Sequence, residues 1–126
     1  MRSLSHGVDL VEVSRIRDML DRHADRFLER VFTKDEAAYA ADHQRRPEHL
    51  AARFAAKEAV LKALGTGWRT GIAWTDVEVV ATAAAPEVRL HNEAARVAAS
   101  RGITRWSLSI SHAAGLAMAS AIATGA

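Results

Sequence analysis

Two carboxylates and a few cations are the residues of this sequence whose types and spacing could do chemistry. Asp9 interrupts an otherwise apolar stretch, Gly7-Val8-Asp9-Leu10-Val11. A carboxylate there must be paired, solvated at an edge or bound to a cation, because an isolated buried charge is very costly. Taken alone, an exposed strand position or a structural ion pair is the commoner outcome. Glu58 and Lys62 stand four apart in a helical stretch and so share one face. The ordinary reading of that spacing is a surface pair worth about 0.2–0.5 kcal/mol. Two details point further. Ala51 and Ala55 lie on the same face and leave room beside the charges, and Glu58 flanks the apolar stripe, so it should be partly buried. Lys57 falls inside that stripe, between Phe54 and Leu61, where it must snorkel or find a partner. A carboxylate and two lysines at a partly buried edge, just before Leu64-Gly65-Thr66-Gly67, suit a cation and phosphates.

Other chemistries lack their residues. His112 follows alternating serines in Ser109-Ile110-Ser111-His112, and a lone histidine at a strand end is more often structural. No HExxH, histidine–cysteine cluster or GxSxG elbow accompanies it, so zinc hydrolysis and serine-triad chemistry are unsupported. Walker A and GxGxxG loops are missing as well. Arg15, Arg22 and Arg26 fall at i, i+7 and i+11, about a quarter turn from the apolar stripe of their helix. They form either a solvated face neutralised by Asp18, Asp21, Asp25 and Glu29 or a docking face for an acidic partner.

The elements that must position these groups are legible from periodicity. Leu4 to Val11 alternates as a strand, with Leu4, His6, Val8 and Leu10 on one face and Ser5, Gly7, Asp9 and Val11 on the other. Ile16, Met19, Leu20, His23 and Phe27 make a helical stripe. Thr33-Lys34-Asp35-Glu36 matches a capping box opening a shorter helix. Pro47 suits the first turn of a long helix that runs to Leu64 and closes at Gly65. Strands are predicted over Thr75 to Thr82 and Glu87 to Leu90, broken by Pro86, then a helix over Asn92 to Arg101 closed by Gly102. Arg105 to Ser111 alternates Trp106, Leu108 and Ile110 against serines. A turn at His112 to Gly115 leads to a last strand, Leu116 to Ala123. The fold class is α+β, one compact domain over 1–126, with long helices on a mostly antiparallel sheet.

Bulk properties set the bounds. The sequence has 126 residues and no cysteine. Its length allows a core without staples, and the missing thiols exclude a disulfide framework and a cysteine nucleophile. The opening MRSLSHGVDL lacks the charged-then-apolar order of a signal peptide, and no apolar run is long enough for a span. The expectation is a soluble, cytoplasmic protein with no membrane partner. The formal charge is only +2 and the sequence pI is about 9.5. Acids alternate with the arginines of the first helix, which argues against a nucleic-acid binder.

Together these residues resemble the holo-acyl-carrier-protein synthase family, the small phosphopantetheinyl transferases. The matching segments are Gly7-Val8-Asp9-Leu10-Val11-Glu12 with Arg15-Ile16, then Arg53-Phe54-Ala55-Ala56-Lys57-Glu58-Ala59 with Lys62-Ala63-Leu64-Gly65-Thr66-Gly67, and Leu108-Ser109-Ile110-Ser111-His112. The resemblance runs from about Gly7 to Ala123 in correct order. It departs in the middle, where Ala84-Ala85-Pro86 stands in place of a Gly-Lys-Pro-like turn, away from every candidate site residue.

The resemblance implies a 4'-phosphopantetheinyl transferase-like fold. Its implied activity is magnesium-dependent transfer of the phosphopantetheine arm of coenzyme A to a serine of an apo acyl carrier protein, releasing adenosine 3',5'-bisphosphate. That would place the chain in fatty acid biosynthesis and lipid metabolism. Asp9 and Glu58 would be magnesium ligands, a natural pair for a hard cation that keeps several waters. Lys62 and the Gly65 turn would meet coenzyme A phosphates, with Arg53 and His112 as further contacts. The serine's proton would pass to Glu58 or to a metal-bound water. A homotrimer with active sites between subunits is also implied, so that His112 would serve a neighbour's site. Strand edges and the apolar Trp106 to Ile110 face offer surface for that assembly. Arg15, Arg22 and Arg26 would dock the carrier's acidic helix. The competing reading is a non-catalytic phosphate-binding module, which would not need both Asp9 and Glu58.

Overall fold

The computed structural model describes residues 3–67 and 71–125. Strand β1 (Ser3–Glu12) leads directly into helix α1 (Val13–Val31), followed by α2 (Lys34–Ala41) and α3 (Arg46–Leu64). A short 3-10 turn (Trp74–Asp76) precedes β2 (Val77–Val80) and β3 (Glu87–Leu90). Helix α4 (Asn92–Ser100), β4 (Arg105–Ala113) and β5 (Leu116–Gly125) complete the fold. A three-stranded antiparallel sheet has the order β1-β5-β4, and β2-β3 form a separate antiparallel pair.

Helix α3 is the centre of the molecule. It buries residues on nearly every side, from Leu50 to Leu64, including Ala51, Ala55, Ala56 and Ala59, so it reads as a core helix and not as a surface one. It closes at Gly65 (φ 82°), whose N–H donates to the Lys62 carbonyl at 3.0 Å while Gly67 N–H reaches Leu61 at 3.1 Å. The sheet meets it with its smallest residues: Ala117, Ala119, Ala121 and Ala123 of β5 are all buried against it. At Gly7 the contact is closest. A Cβ there would stand 1.9 Å from the Ala59 carbonyl oxygen and 2.7 Å from Ala63 N. No side chain fits, so β1 lies directly on the helix backbone.

The second fixed point is polar. Thr33 and Glu36 form the expected capping box at α2, Thr33 N–H donating to Glu36 Oε1 at 2.8 Å. Glu36 is buried, and Lys57 of α3 pairs with its Oε1 at 2.7 Å, both side chains fully enclosed. Glu36 Oε2 accepts from Val79 N–H at 2.9 Å, and Lys57 Nζ also donates to the carbonyls of Trp74 and Val77. One carboxylate and one ammonium thereby tie α2, α3 and β2 together. Burial lowers the Lys57 pKa, against the opposing pull of Glu36 and Glu78.

Several boundaries differ from the sequence expectation. The strand predicted from Thr75 starts at Val77, because Asp76 closes a tight turn on Ala73, its N–H reaching the Ala73 carbonyl at 3.0 Å. The turn predicted at His112 begins later. His112 pairs with Ala117, and only Ala114 (φ 53°) and Gly115 (φ 76°) make the reversal. The unusual Ala84-Ala85-Pro86 connection still gives the hairpin, with Thr82 Oγ1 accepting from Ala84 N–H and donating to the Ala85 carbonyl. The face expected to mediate assembly is turned inward: Leu108 is buried, and Trp106 and Ile110 pack on the core. Instead Leu4, Val8, Leu10, Met118 and Ile122 are exposed on the outer face of β1 and β5, Leu4 by 73%. None of the helices in the described residues is long and apolar enough to cross a membrane.

Lys57→Met should destabilise the protein by about 3–5 kcal/mol, since it strands a buried carboxylate. Thermal unfolding should register a fall in Tm of roughly 10 °C or more. A Tm within about 2 °C of the parent would remove the pair from its structural role.

Candidate active site

Because Gly7 brings β1 onto α3, the next inward-facing residue of the strand, Asp9, reaches the helix at Glu58 and Lys62. Lys62 Nζ donates to Asp9 Oδ1 at 3.1 Å and to the Val8 carbonyl at 3.0 Å. Lys62 therefore crosses from helix to strand in preference to forming the i,i+4 pair with Glu58 that spacing alone suggests. The Asp9 side chain is 17% exposed and that of Lys62 50%, so the site is open to solvent and to phosphate. Glu58 is half-buried, as its place beside the apolar stripe requires. Burial pushes its carboxyl above the usual range and the charge of Asp9 adds to this, while Lys62 and Arg15 pull it down. Asp9, Glu58, Lys62 and Arg15 form one electrostatic unit drawn from β1, α3 and α1.

This donor set fits a magnesium ion. Two carboxylates whose charges work against each other gain from a cation between them, and both offer hard oxygen donors without histidine or thiolate. No group of three or more histidine, cysteine, aspartate or glutamate residues suited to a metal occurs among the described residues. The protein would supply two ligands and leave the others to water and phosphate oxygens, as magnesium prefers.

The remaining predicted residues are spread over three further surfaces. Gly65 and Lys62 border a cavity of about 330 Å³ with Ser5 and Arg101. The positive φ of Gly65 favours glycine there, and the Arg101 guanidinium lies 2.6 Å from where a Cβ would be, so a larger residue would also push that flexible side chain aside. Arg101 had no signal in the sequence beyond its position at a helix end. His112 is exposed, and its Nε2 donates to the Glu48 carbonyl at 3.2 Å. It lines a cavity of about 550 Å³ with Arg17, Arg45 and Glu48. Arg17 and Arg45 were not singled out from sequence, since both look like ordinary helix-flanking charges. Neither Asp9 nor Glu58 borders that cavity. Arg53 is buried, with its guanidinium 4.3 Å over the Tyr39 ring and near Glu36, away from the Asp9–Glu58 pair. Its Nε has no hydrogen-bond partner among the described residues.

Arg15, Arg22 and Arg26 are all exposed, and among the described residues none pairs with Asp18, Asp21, Asp25 or Glu29. Helix α1 breaks its helical geometry at His23 (φ −140°, ψ 33°), so Arg22 and Arg26 lie on either side of a kink. Arg15 and Arg26 rim a groove of about 680 Å³ floored by Met19, Phe27, Phe54 and Trp74, whereas Arg22 is outside its lining. Phe54 is one turn before Glu58, so the groove leads toward the carboxylates.

In metal-free buffer, Asp9→Asn should lower the pKa of Glu58 by removing a neighbouring negative charge, and Lys62→Met should raise it. Carbon-13 NMR titration of the Glu58 carboxyl checks both signs, and an unmoved titration in both variants would separate the four groups.

The chain matches the model of the 4'-phosphopantetheinyl transferase superfamily over residues 5–119. It is 47% identical over 117 residues to the holo-[acyl-carrier-protein] synthase of Solibacter usitatus, covering 92% of this chain and 94% of that one. The crystal structure of holo-[acyl-carrier-protein] synthase from Neisseria meningitidis superposes with a TM-score of 0.86 at 30% identity, covering 94% of this chain and 96% of that chain. That of Helicobacter pylori in complex with coenzyme A gives 0.81 at 30% identity, covering 94% and 98%. Sequence motifs, α+β architecture and these likenesses agree, and the chain belongs to the holo-[acyl-carrier-protein] synthase family of phosphopantetheinyl transferases.

Proposed function

We propose that this enzyme transfers the 4'-phosphopantetheine arm of coenzyme A to a serine of an apo acyl carrier protein, with magnesium held by Asp9 and Glu58. The observation that carries the reading is the convergence of Asp9, Glu58 and Lys62 at the point where β1 lies on α3. The related Helicobacter pylori protein, solved with coenzyme A, supports the donor. In the reaction the serine oxygen forms a bond to the β-phosphorus, the pyrophosphate bond breaks, and adenosine 3',5'-bisphosphate departs. Bound magnesium supplies charge neutralisation on the pyrophosphate oxygens.

The chain's own residues do the rest. Lys62, exposed and 3.1 Å from Asp9, offers its one remaining ammonium proton to the phosphates, where negative charge accumulates on the leaving oxygen. Glu58 is the group to accept the serine proton, because burial and the neighbouring Asp9 strengthen its hold on a proton, while Asp9 is engaged by Lys62. The groove below Arg15 and Arg26 gives the carrier an apolar floor and a basic rim, and Arg15 on that rim acts electrostatically on Glu58. Exposed, unpaired arginines attract an acidic partner from a distance.

The outer face of β1 and β5 suits association with further copies, since contiguous exposed apolar residues mark an interface. A homotrimer would cover it. His112, in a cavity apart from the carboxylates, then serves the coenzyme A site of a neighbouring subunit. A cytoplasmic enzyme with a coenzyme A donor fits the same reading.

Incubation with coenzyme A, magnesium and an apo carrier should add the phosphopantetheine mass to the carrier, with Asp9→Ala and Glu58→Ala each lowering the rate by at least about 100-fold. Near-parental rates for both at limiting magnesium would refute the metal assignment. Reversing Arg15 and Arg22 to Glu should raise the carrier KM at least about tenfold, far more than it raises the coenzyme A KM. An unchanged carrier KM would remove α1 as the docking face.

A further inference from the structure

The glycine turn after α3 has the composition of a phosphate-binding loop but not its donors. Gly65 N–H donates to the Lys62 carbonyl at 3.0 Å, and the N–H groups of Thr66 and Gly67 both reach the Leu61 carbonyl, at 3.3 and 3.1 Å. All three are spent on closing the helix. The turn also follows the C-terminus of α3, where the helix dipole repels negative charge. Ser5, on the wall of the cavity at Gly65, gives its hydroxyl proton to the Ala63 carbonyl. Lys62 places two of its three protons on Asp9 and Val8, so it brings a single donor. A diphosphate settling beside Gly65 needs more than that.

Arg101 is placed to supply it. Its base is fixed in the closing turn of α4, where its N–H donates to the Val97 carbonyl at 3.1 Å and Ile103 N–H reaches Ala98 at 2.9 Å. That turn is seated on the end of β5: a Cβ at Gly125 would stand 1.8 Å from the Gly102 carbonyl oxygen. From this base the guanidinium extends into the space that a side chain at Gly65 would fill. No hydrogen bond or ion pair holds that guanidinium among the described residues. Arg101 and Lys62, from separate elements, line one cavity of about 330 Å³, and no acidic residue borders it among the described residues. Two cations and no carboxylate in its lining make it a site for an anion.

We propose that Arg101 binds the diphosphate of coenzyme A together with Lys62, its N–H groups taking the oxygens that the glycine turn cannot. This rests on the reading that Lys62 meets the coenzyme A phosphates. A planar guanidinium can donate two parallel hydrogen bonds to one phosphate, which a single ammonium proton cannot match. Lys62 stays tied to Asp9 beside the carboxylate pair, while Arg101 reaches the anion across the bare Gly65 turn. The contact holds the donor before and during transfer alike, so its loss belongs in KM more than in kcat.

Steady-state rates with magnesium and a saturating apo carrier, joined to calorimetric titration of dephospho-coenzyme A in magnesium buffer, test the assignment. Arg101→Gln should raise the coenzyme A KM about tenfold, with kcat within about twofold of the parent. Its Tm should stay within about 2 °C, as for other exposed positions. Dephospho-coenzyme A keeps the diphosphate and lacks the 3'-phosphate, and its affinity should fall by about the same tenfold factor. Arg101→Lys, which keeps the charge and loses the fork, should lie between the two. A guanidinium that only complements the α3 terminus would lower Tm in Arg101→Gln and leave the coenzyme A KM alone. That result, beside a raised KM in Lys62→Met, overturns this inference by itself. A raised coenzyme A KM with parental binding of dephospho-coenzyme A moves Arg101 to the 3'-phosphate and overturns it too. A parental coenzyme A KM in Lys62→Met overturns the underlying phosphate reading and the inference with it.

Discussion

The site depends on one absent side chain. Gly7 lets β1 rest on the backbone of α3, where even a methyl group would stand 1.9 Å from the Ala59 carbonyl oxygen. Two residues on, the strand's alternation points Asp9 at the same helix, and Glu58 and Lys62 meet it there. The alanines of α3 and β5 serve the same end, since small residues on both surfaces keep sheet and helix close. A larger residue at Gly7 would have to lift the strand, and it would carry Asp9 away from its partners.

Holding α3 in place falls to a different lysine. Lys57 and Lys62 are five residues apart and so point in different directions from the same helix. Lys57 is wholly enclosed with Glu36, while Lys62 stays half in solvent beside Asp9. A buried ion pair adds little net stability over an apolar equivalent but is unforgiving when one partner is lost. Here it also consumes the capping glutamate of α2 and a backbone N–H of β2, so three elements share its geometry. The chemistry is thus kept on the exposed, adaptable side of a helix whose other side is fixed.

Much of this was legible in the sequence. Asp9 inside an apolar strand, the Glu58–Lys62 spacing beside alanines, the Thr33–Glu36 box and the Gly65 stop all appear where periodicity and capping rules put them. What was hidden involves contacts between distant segments. Periodicity showed that Lys57 needed a partner but not that Glu36, already spent in a capping box, would be it. It showed that Trp106, Leu108 and Ile110 share a face but not that this face is inward, leaving Leu4, Val8 and Leu10 exposed. Arg17, Arg45 and Arg101 look like any surface arginine until the fold brings them to cavities beside His112 and Gly65.

In the proposed assembly, the carboxylates and His112 act in one site from different copies of the chain. Mixing two inactive variants tests it most directly: Asp9→Ala, which keeps His112, and His112→Ala, which keeps Asp9, unfolded and refolded together. If sites lie between subunits and copies assort at random, about one site in four contains both intact halves, and transfer should recover to about a quarter of the parental rate at limiting coenzyme A. Activity no greater than the sum of the separate variants, from a mixture shown to have exchanged subunits, would contradict the shared site.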